Sequence, residues 1–517
     1  MSVKYLKITL LFVLGLVAGT TLQAQRIIQY AAGMGTRDPN NPDVWILYQK
    51  VKASHEGMTL YTDSASLDTK NNIFVAHRNV RMVITDTTTL LGETAIYDGT
   101  TRIAEVWADT VVLIDGKTVL KSDNLTYNRN TNTAAYYNWG HTTHDSATLD
   151  SRMGFYHTDT RDLFLYGDVQ LYDTTSWLET DTLHYNTRTS LAVFVSPTYI
   201  YSDSSTVYSE SGSYNTSSHE AASFSATHLT NRDKWLTADT LFFNDDTEHG
   251  EAYGHVTIMD TLNNVACSGR MGITDQKEHF SFVTDSALIV YVDKGDTLFM
   301  HADTIWAYNN DDREFEAARA YRNVCLYRND VQARCDSLAY LSADSTVSLY
   351  GSPVVWYEDY QCTADTIICI YDTDGVRLIH LRNNVFAVEQ VDPLKFSQLK
   401  GHNANVYCHK NEPRYADILG SARMIYYVID EEGASGRELL GVNCGIGSDM
   451  RIYFNDDRKP SRVTTFGNPD MKMYPPDKLP SDQKQLPGFS WQIDRRPQSP
   501  ADVFRTPPAK AATKQTP

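Results

Sequence analysis

Thr180-Asp-Thr-Leu-His-Tyr185 is the stretch on which the fold of this chain turns. An acid, a small hydroxyl residue, an aliphatic, a variable residue and an aromatic follow in order, and in a strand Asp181, Leu183 and Tyr185 share one face. The same order returns as Glu93-Thr-Ala-Ile-Tyr97, Asp123-Asn-Leu-Thr-Tyr127, Asp239-Thr-Leu-Phe-Phe243 and Asp336-Ser-Leu-Ala-Tyr340. Looser copies begin at Asp63, Ser151, Glu210, Ser268, Asp303 and Asp365, so successive starts lie 30, 30, 28, 30, 29, 29, 29, 35, 33 and 29 residues apart. Later in many copies a turn leads into Val and further alternation, as in Tyr166-Gly-Asp-Val-Gln-Leu171, Tyr253-Gly-His-Val-Thr-Ile258 and Tyr321-Arg-Asn-Val-Cys-Leu326. A fixed period of this length means stacked units, each burying its apolar face against its neighbours.

The units are built of strands. Apolar runs last four to eight residues, as in Val80-Arg-Met-Val-Ile84 and Val111-Val-Leu-Ile114, and polar turns such as Asn128-Arg-Asn-Thr-Asn132 separate them. The 32 tyrosines favour a pleated, half-buried surface, and no amphipathic run reaches helix length. The expected fold is all-β: an elongated repeat of two facing antiparallel sheets, in which about four strands of five or six residues fit each unit. The apolar members of the first signature are then expected to face the interior: Tyr97, Leu125, Tyr127, Leu183, Tyr185, Leu241, Phe243, Ile305, Leu338 and Tyr340. The acid belongs at a rim or turn, since an unpaired carboxylate inside an apolar space is costly.

Five segments follow from this reading. Residues 1–24 read as a signal peptide, with Lys4 and Lys7 before an apolar core and Leu22-Gln23-Ala24 as the cleavage site; an uncleaved anchor is the alternative. Residues 25–50 are a lead-in, 51–390 the clear repeats, 391–475 diverged repeats and 476–517 a Pro-rich tail holding eight of the 17 prolines. The tail cannot pair as a central strand and reads as an extended or partner-binding arm, with Leu486-Pro-Gly-Phe-Ser-Trp491 as its aromatic island. The formal net charge of −18 and the lack of a basic stripe argue against nucleic acid as a partner.

Seven cysteines without a CxxC or His-rich spacing give no zinc site, and free thiols within apolar alternation are the expectation. His141-Thr-Thr-His144 puts its imidazoles on opposite faces of a strand, Asp372-Thr-Asp-Gly375 reads as a hairpin turn, and Gly441-Val-Asn-Cys-Gly-Ile-Gly447 lacks a P-loop lysine. No nucleophile elbow or Ser/His/Asp arrangement is present, no cofactor is implied, and no enzyme is expected.

The signal peptide, the Ala/Thr-Asp-Thr-Leu-x-Tyr unit at Ala238–Phe243 and Thr180–Tyr185, and the Tyr-Gly-x-Val returns together resemble the OstA-like family, the LptA-type periplasmic components of lipopolysaccharide transport. The resemblance covers roughly residues 50 to 475 and implies a V-shaped β-jellyroll whose two sheets enclose a hydrophobic groove for acyl chains. It also implies a periplasmic location, lipopolysaccharide or a related glycolipid as ligand, and end-to-end β-augmentation with other transport components at the inner and outer membranes. The chain has more copies than short family members and no clear basic cluster for lipid phosphates. Two other readings compete. A structural or adhesive exported β-solenoid would have a filled interior, and a β-helical polysaccharide-acting enzyme would need unique polar residues clustered on adjacent coils.

Overall fold

The computed structural model describes residues 27–505 except 175, 203–204, 232–233, 245, 294, 313 and 431–437. The expected signal peptide at 1–24 and residues 506–517 of the tail lie outside the described residues. The chain divides into two compact units, residues 1–203 with 210–217 and residues 204–209 with 218–517. Both are all-β with antiparallel pairing between successive strands, and the helical turns among the described residues are four short 3-10 turns after Tyr474.

In residues 44–128 the copies form long strands rather than four short ones, whereas residues 133–157 and 191–215 form the expected short strands of four or five residues. Val44–His55, Met58–Asp68, Ile73–Val83, Thr88–Asp98, Ile103–Asp115 and Thr118–Asn128 pair in sequence. Each is bent midway, where the register slips between Tyr48 and Val51, between His77 and Val80 and between Trp107 and Val111. The second sequence signature makes this corner. Two consecutive residues take left-handed backbone there: Arg78 and Asn79, Gly167 and Asp168, Gly254 and His255, Arg322 and Asn323, Asn383 and Asn384. An inserted residue of this kind bends a strand and increases its twist, so one strand serves both facing arms.

The first signature supplies the partner for the corner. Asn79 donates to Asp63 (2.7 Å), Asn138 to Asp123 (3.1 Å), Asn323 to Asp303 (3.0 Å) and Asn384 to Asp365 (3.0 Å), and His255 bonds Asp239 at 2.8 Å. In the copy starting at Ser151 the charges are exchanged: Arg152 donates to Asp168 at 3.0 Å. The acid of the repeat therefore sits at the rim and joins the two signatures.

Candidate functional site

Because the strands bend, their far ends return toward each other, and the side chains between the arms are the candidate site. In the first unit the space between the arms is closed. The hydroxyl of Tyr97, on one arm, shares a 2.7 Å hydrogen bond with His55 Nδ1 on the other. Arg129 donates to the carbonyls of His55 (3.1 Å) and Glu56 (2.9 Å), and Arg102 pairs with Glu56 at 2.9 Å. Two copies on, the buried Asp115 pairs with Arg161 and accepts from the Tyr156 hydroxyl at 2.9 Å. Tyr214 donates to Asp173 at 3.4 Å. The edge opposite the corners is thus laced by the aromatic residue of the repeat and by arginines one turn beyond it.

Behind this seam the interior is filled. Tyr97, Leu125, Tyr127, Leu183 and Tyr185 are 0–1% exposed, so at these layers the chain's own side chains occupy the space. Tyr127 shares a hydrogen bond with Thr158 and Tyr185 with Thr216, both at 3.1 Å, which satisfies hydroxyls that apolar surroundings would leave costly. Tyr136 lies between Gly140 and Gly154, where a Cβ on either glycine would overlap its ring, and burial pushes its phenol up to about 12.

The second unit differs. Leu241, Ile305 and Leu338 are buried, whereas Phe243 and Tyr340 are half-buried. The other inward positions beside them, Cys267, Ile289, Leu326, Val355, Cys362, Cys369 and Leu399, pack against the core yet stay half-buried. Burial still pushes the thiols of Cys267 and Cys369 up to about 12 and that of Cys362 up to about 11. Unlike the filled layers of the first unit, these inward side chains keep accessible area. All seven cysteines are free thiols.

Sequence reasoning placed the recurring Leu and aromatic positions inward but missed the hydroxyl partners His55, Asp115, Thr158, Asp173 and Thr216. Those partners lie at strand ends and in turns of other copies, and only the fold brings them near. The remaining polar motifs have ordinary partners: His141 bonds Asp150 at 2.7 Å, His144 bonds Thr118 at 3.0 Å, and Asp372 pairs with Gly375 across a hairpin turn. Among the described residues no group of three or more His, Cys, Asp or Glu is arranged to hold a metal ion.

Residues 25–181 and 164–239 match the family model described as OstA-like protein. Residues 25–239 are thus similar to the OstA-like family. The corner pairs Asp303–Asn323 and Asp365–Asn384 carry the construction of the OstA-like region past residue 239. Among curated proteins none matches the sequence. Among solved structures, LptH of Pseudomonas aeruginosa, the LptA homologous periplasmic component of the conserved lipopolysaccharide transport device, is similar at 13% identity and TM-score 0.22, over 28% of this chain and 95% of its own.

Proposed function

We propose that this OstA-like chain is an exported, non-enzymatic sheath that shelters the acyl chains of lipopolysaccharide or a related glycolipid and passes them toward the outer membrane. The observation that carries the reading is the inner face of the second unit, where apolar residues at matched positions stay half-buried while the layers of the first unit are filled. An acyl chain gains about 0.8 kcal/mol per buried CH₂, so it needs continuous apolar cover to cross water. A lining that repeats copy after copy offers no single deep trap, which suits a ligand that must slide. The periplasm and the transport components at either membrane are the setting and partners that fit this role.

A second reading, a structural β-solenoid, draws support from the filled and laced interior of the first unit. Site-specific photo-crosslinking in living cells separates the two. Probes at Phe243, Ile289 and Leu326 are expected to give glycolipid adducts, with none at the exposed Asp246 control. A folded, abundant protein that gives no adduct at any of the three would favour the structural solenoid.

A further inference from the structure

The tail docks on the chain itself, on the outer face of the second unit. Six strands there carry one straight cross-strand row, Gln332, Trp356, Gln361, Val388, Gln398 and Ile425, each paired with the next. Glutamine alternates with an apolar residue, and all six are 0–3% exposed although they point away from the interior. Residues 479–505 cover them. Gln398 donates through Nε2 to the Lys484 carbonyl (2.9 Å) and accepts from the Leu486 N–H (2.8 Å). Gln361 repeats the arrangement with the Ser490 carbonyl and the Gln492 N–H, both at 2.7 Å. At Gln332 the Arg496 guanidinium donates to Oε1 at 2.7 Å. Arg334, next to it, donates to the carbonyls of Arg495 (2.7 Å), Asp502 (3.2 Å) and Arg505 (2.9 Å).

The side-chain amides of Gln361 and Gln398 thus act as neighbouring peptide groups. From Lys484 to Ser490 to Arg496 the tail advances six residues per glutamine. Glutamines on every second strand are about 9.6 Å apart, whereas six extended residues would span about 20 Å. The turn closed by Phe489 N–H on the Leu486 carbonyl (3.0 Å) and the 3-10 turn Ile493–Arg495 take up the difference. Phe489 and Trp491 pack on Phe396 at 5.2 and 5.4 Å, and Phe504 on His301 at 4.8 Å. Yet among the described residues of the docked segment only Leu479, Pro497 and Val503 are buried. The segment builds no core of its own and is held by its hydrogen bonds to the strand face, so local opening is governed by those bonds.

The other face of the same strands packs on the core. Val355, Cys362 and Leu399 stand one residue from Trp356, Gln361 and Gln398, on the opposite face. We infer that residues 479–505 are a releasable brace: docked, they fix the curvature of this arm and hold the inner space narrow, and released, they let the arm flex to admit an acyl chain. The inference rests on the sheath reading and adds to it the element that controls loading.

The test uses the full chain with Gln361→Glu and Gln398→Glu together, which removes the donors to Ser490 and Lys484 at neutral pH. Lys400→Ala is the milder companion, since Lys400 donates to the Pro487 carbonyl at 2.6 Å from the surface. Hydrogen exchange is followed at the amides of Leu486 and Gln492, with the strand Val331–Leu341 as the folding control, alongside uptake of a fluorescent long-chain fatty acid. The expected result is at least tenfold faster exchange in the strap, unchanged strand protection and several-fold faster uptake, with Lys400→Ala between wild type and the double variant. Faster strap exchange with unchanged uptake would overturn the brace and leave the sheath standing. Uptake by neither protein would overturn both. Strap exchange as slow as in the wild type would show that the glutamines do not hold it.

Discussion

Tyr185 does two jobs with one side chain. Its ring fills the space between the arms, and its hydroxyl, bonded to Thr216, ties its own copy to the turn after the next. Tyr185→Phe keeps the ring and drops the tie, so it is expected to lower stability by about 1 kcal/mol, read as a lower urea midpoint with the slope unchanged. Asp115 is a harsher case. Its side chain is fully buried and meets both Arg161 and Tyr156, so Asp115→Ala strands a guanidinium and a phenol at the seam. The expected loss is about 3 kcal/mol or more, measured the same way. A denaturation midpoint within error of wild type for that variant would mean the seam contributes nothing. The sequence pattern showed which aromatics point inward, because alternation sets direction. It was silent about their hydroxyls, because Asp115 and Tyr156 are 41 residues apart.

Among the elements, the corner is the most informative. The turn before Val was visible in the sequence as Gly-Asp, Gly-His or Arg-Asn, yet nothing local said that the strand continues through it. Continuation is a property of pairing, and it explains why long bent strands replace four short ones in residues 44–128. Gly254 has φ +69° and a Cβ there would run into the Asp239 side chain, so Gly254→Ala is expected to cost about 1 kcal/mol. The exchanged charges at Arg152 and Asp168 offer a cleaner check. Arg152→Asp alone sets two carboxylates against each other and is expected to lower the melting temperature. Adding Asp168→Asn rebuilds the pair seen at Asp63 and Asn79 and is expected to restore it.

For the molecule as a whole, many turn carboxylates are held ionised. Burial opposes the ionisation of Asp162, but hydrogen bonds from Thr160, Asn186 and His184 outweigh it and bring its pKa down to about 2. Asp98 is lowered in the same way by Thr101 and Thr100, and Asp68 by the backbone and side chain of Asn71. A carboxyl depressed on folding adds stability that is complete above its ordinary value of 3.8 and is lost as pH falls through the folded value. Stability is therefore expected to hold near neutrality and to fall steadily from about pH 4 toward pH 2. Asp162→Asn should flatten that fall when unfolding is followed against pH. The tail is where composition misled most about the whole. Its prolines read as an arm that cannot pair as a central strand, yet residues 479–505 lie on the strand face through Gln332, Gln361 and Gln398, which were in plain view in the sequence.

Those three glutamines impose a rule of proportion on the gene. The interval from Gln332 to Gln361 is 29 residues and from Gln361 to Gln398 is 37, yet each is answered by six residues near the C-terminus. Two distant stretches thus work like a scale and its vernier. A duplication or loss of one copy between positions 332 and 398 leaves the strap out of step unless six residues are gained or lost beyond position 479 as well. Copies upstream of the strap carry no such debt, and chains of this kind are free to vary in length there.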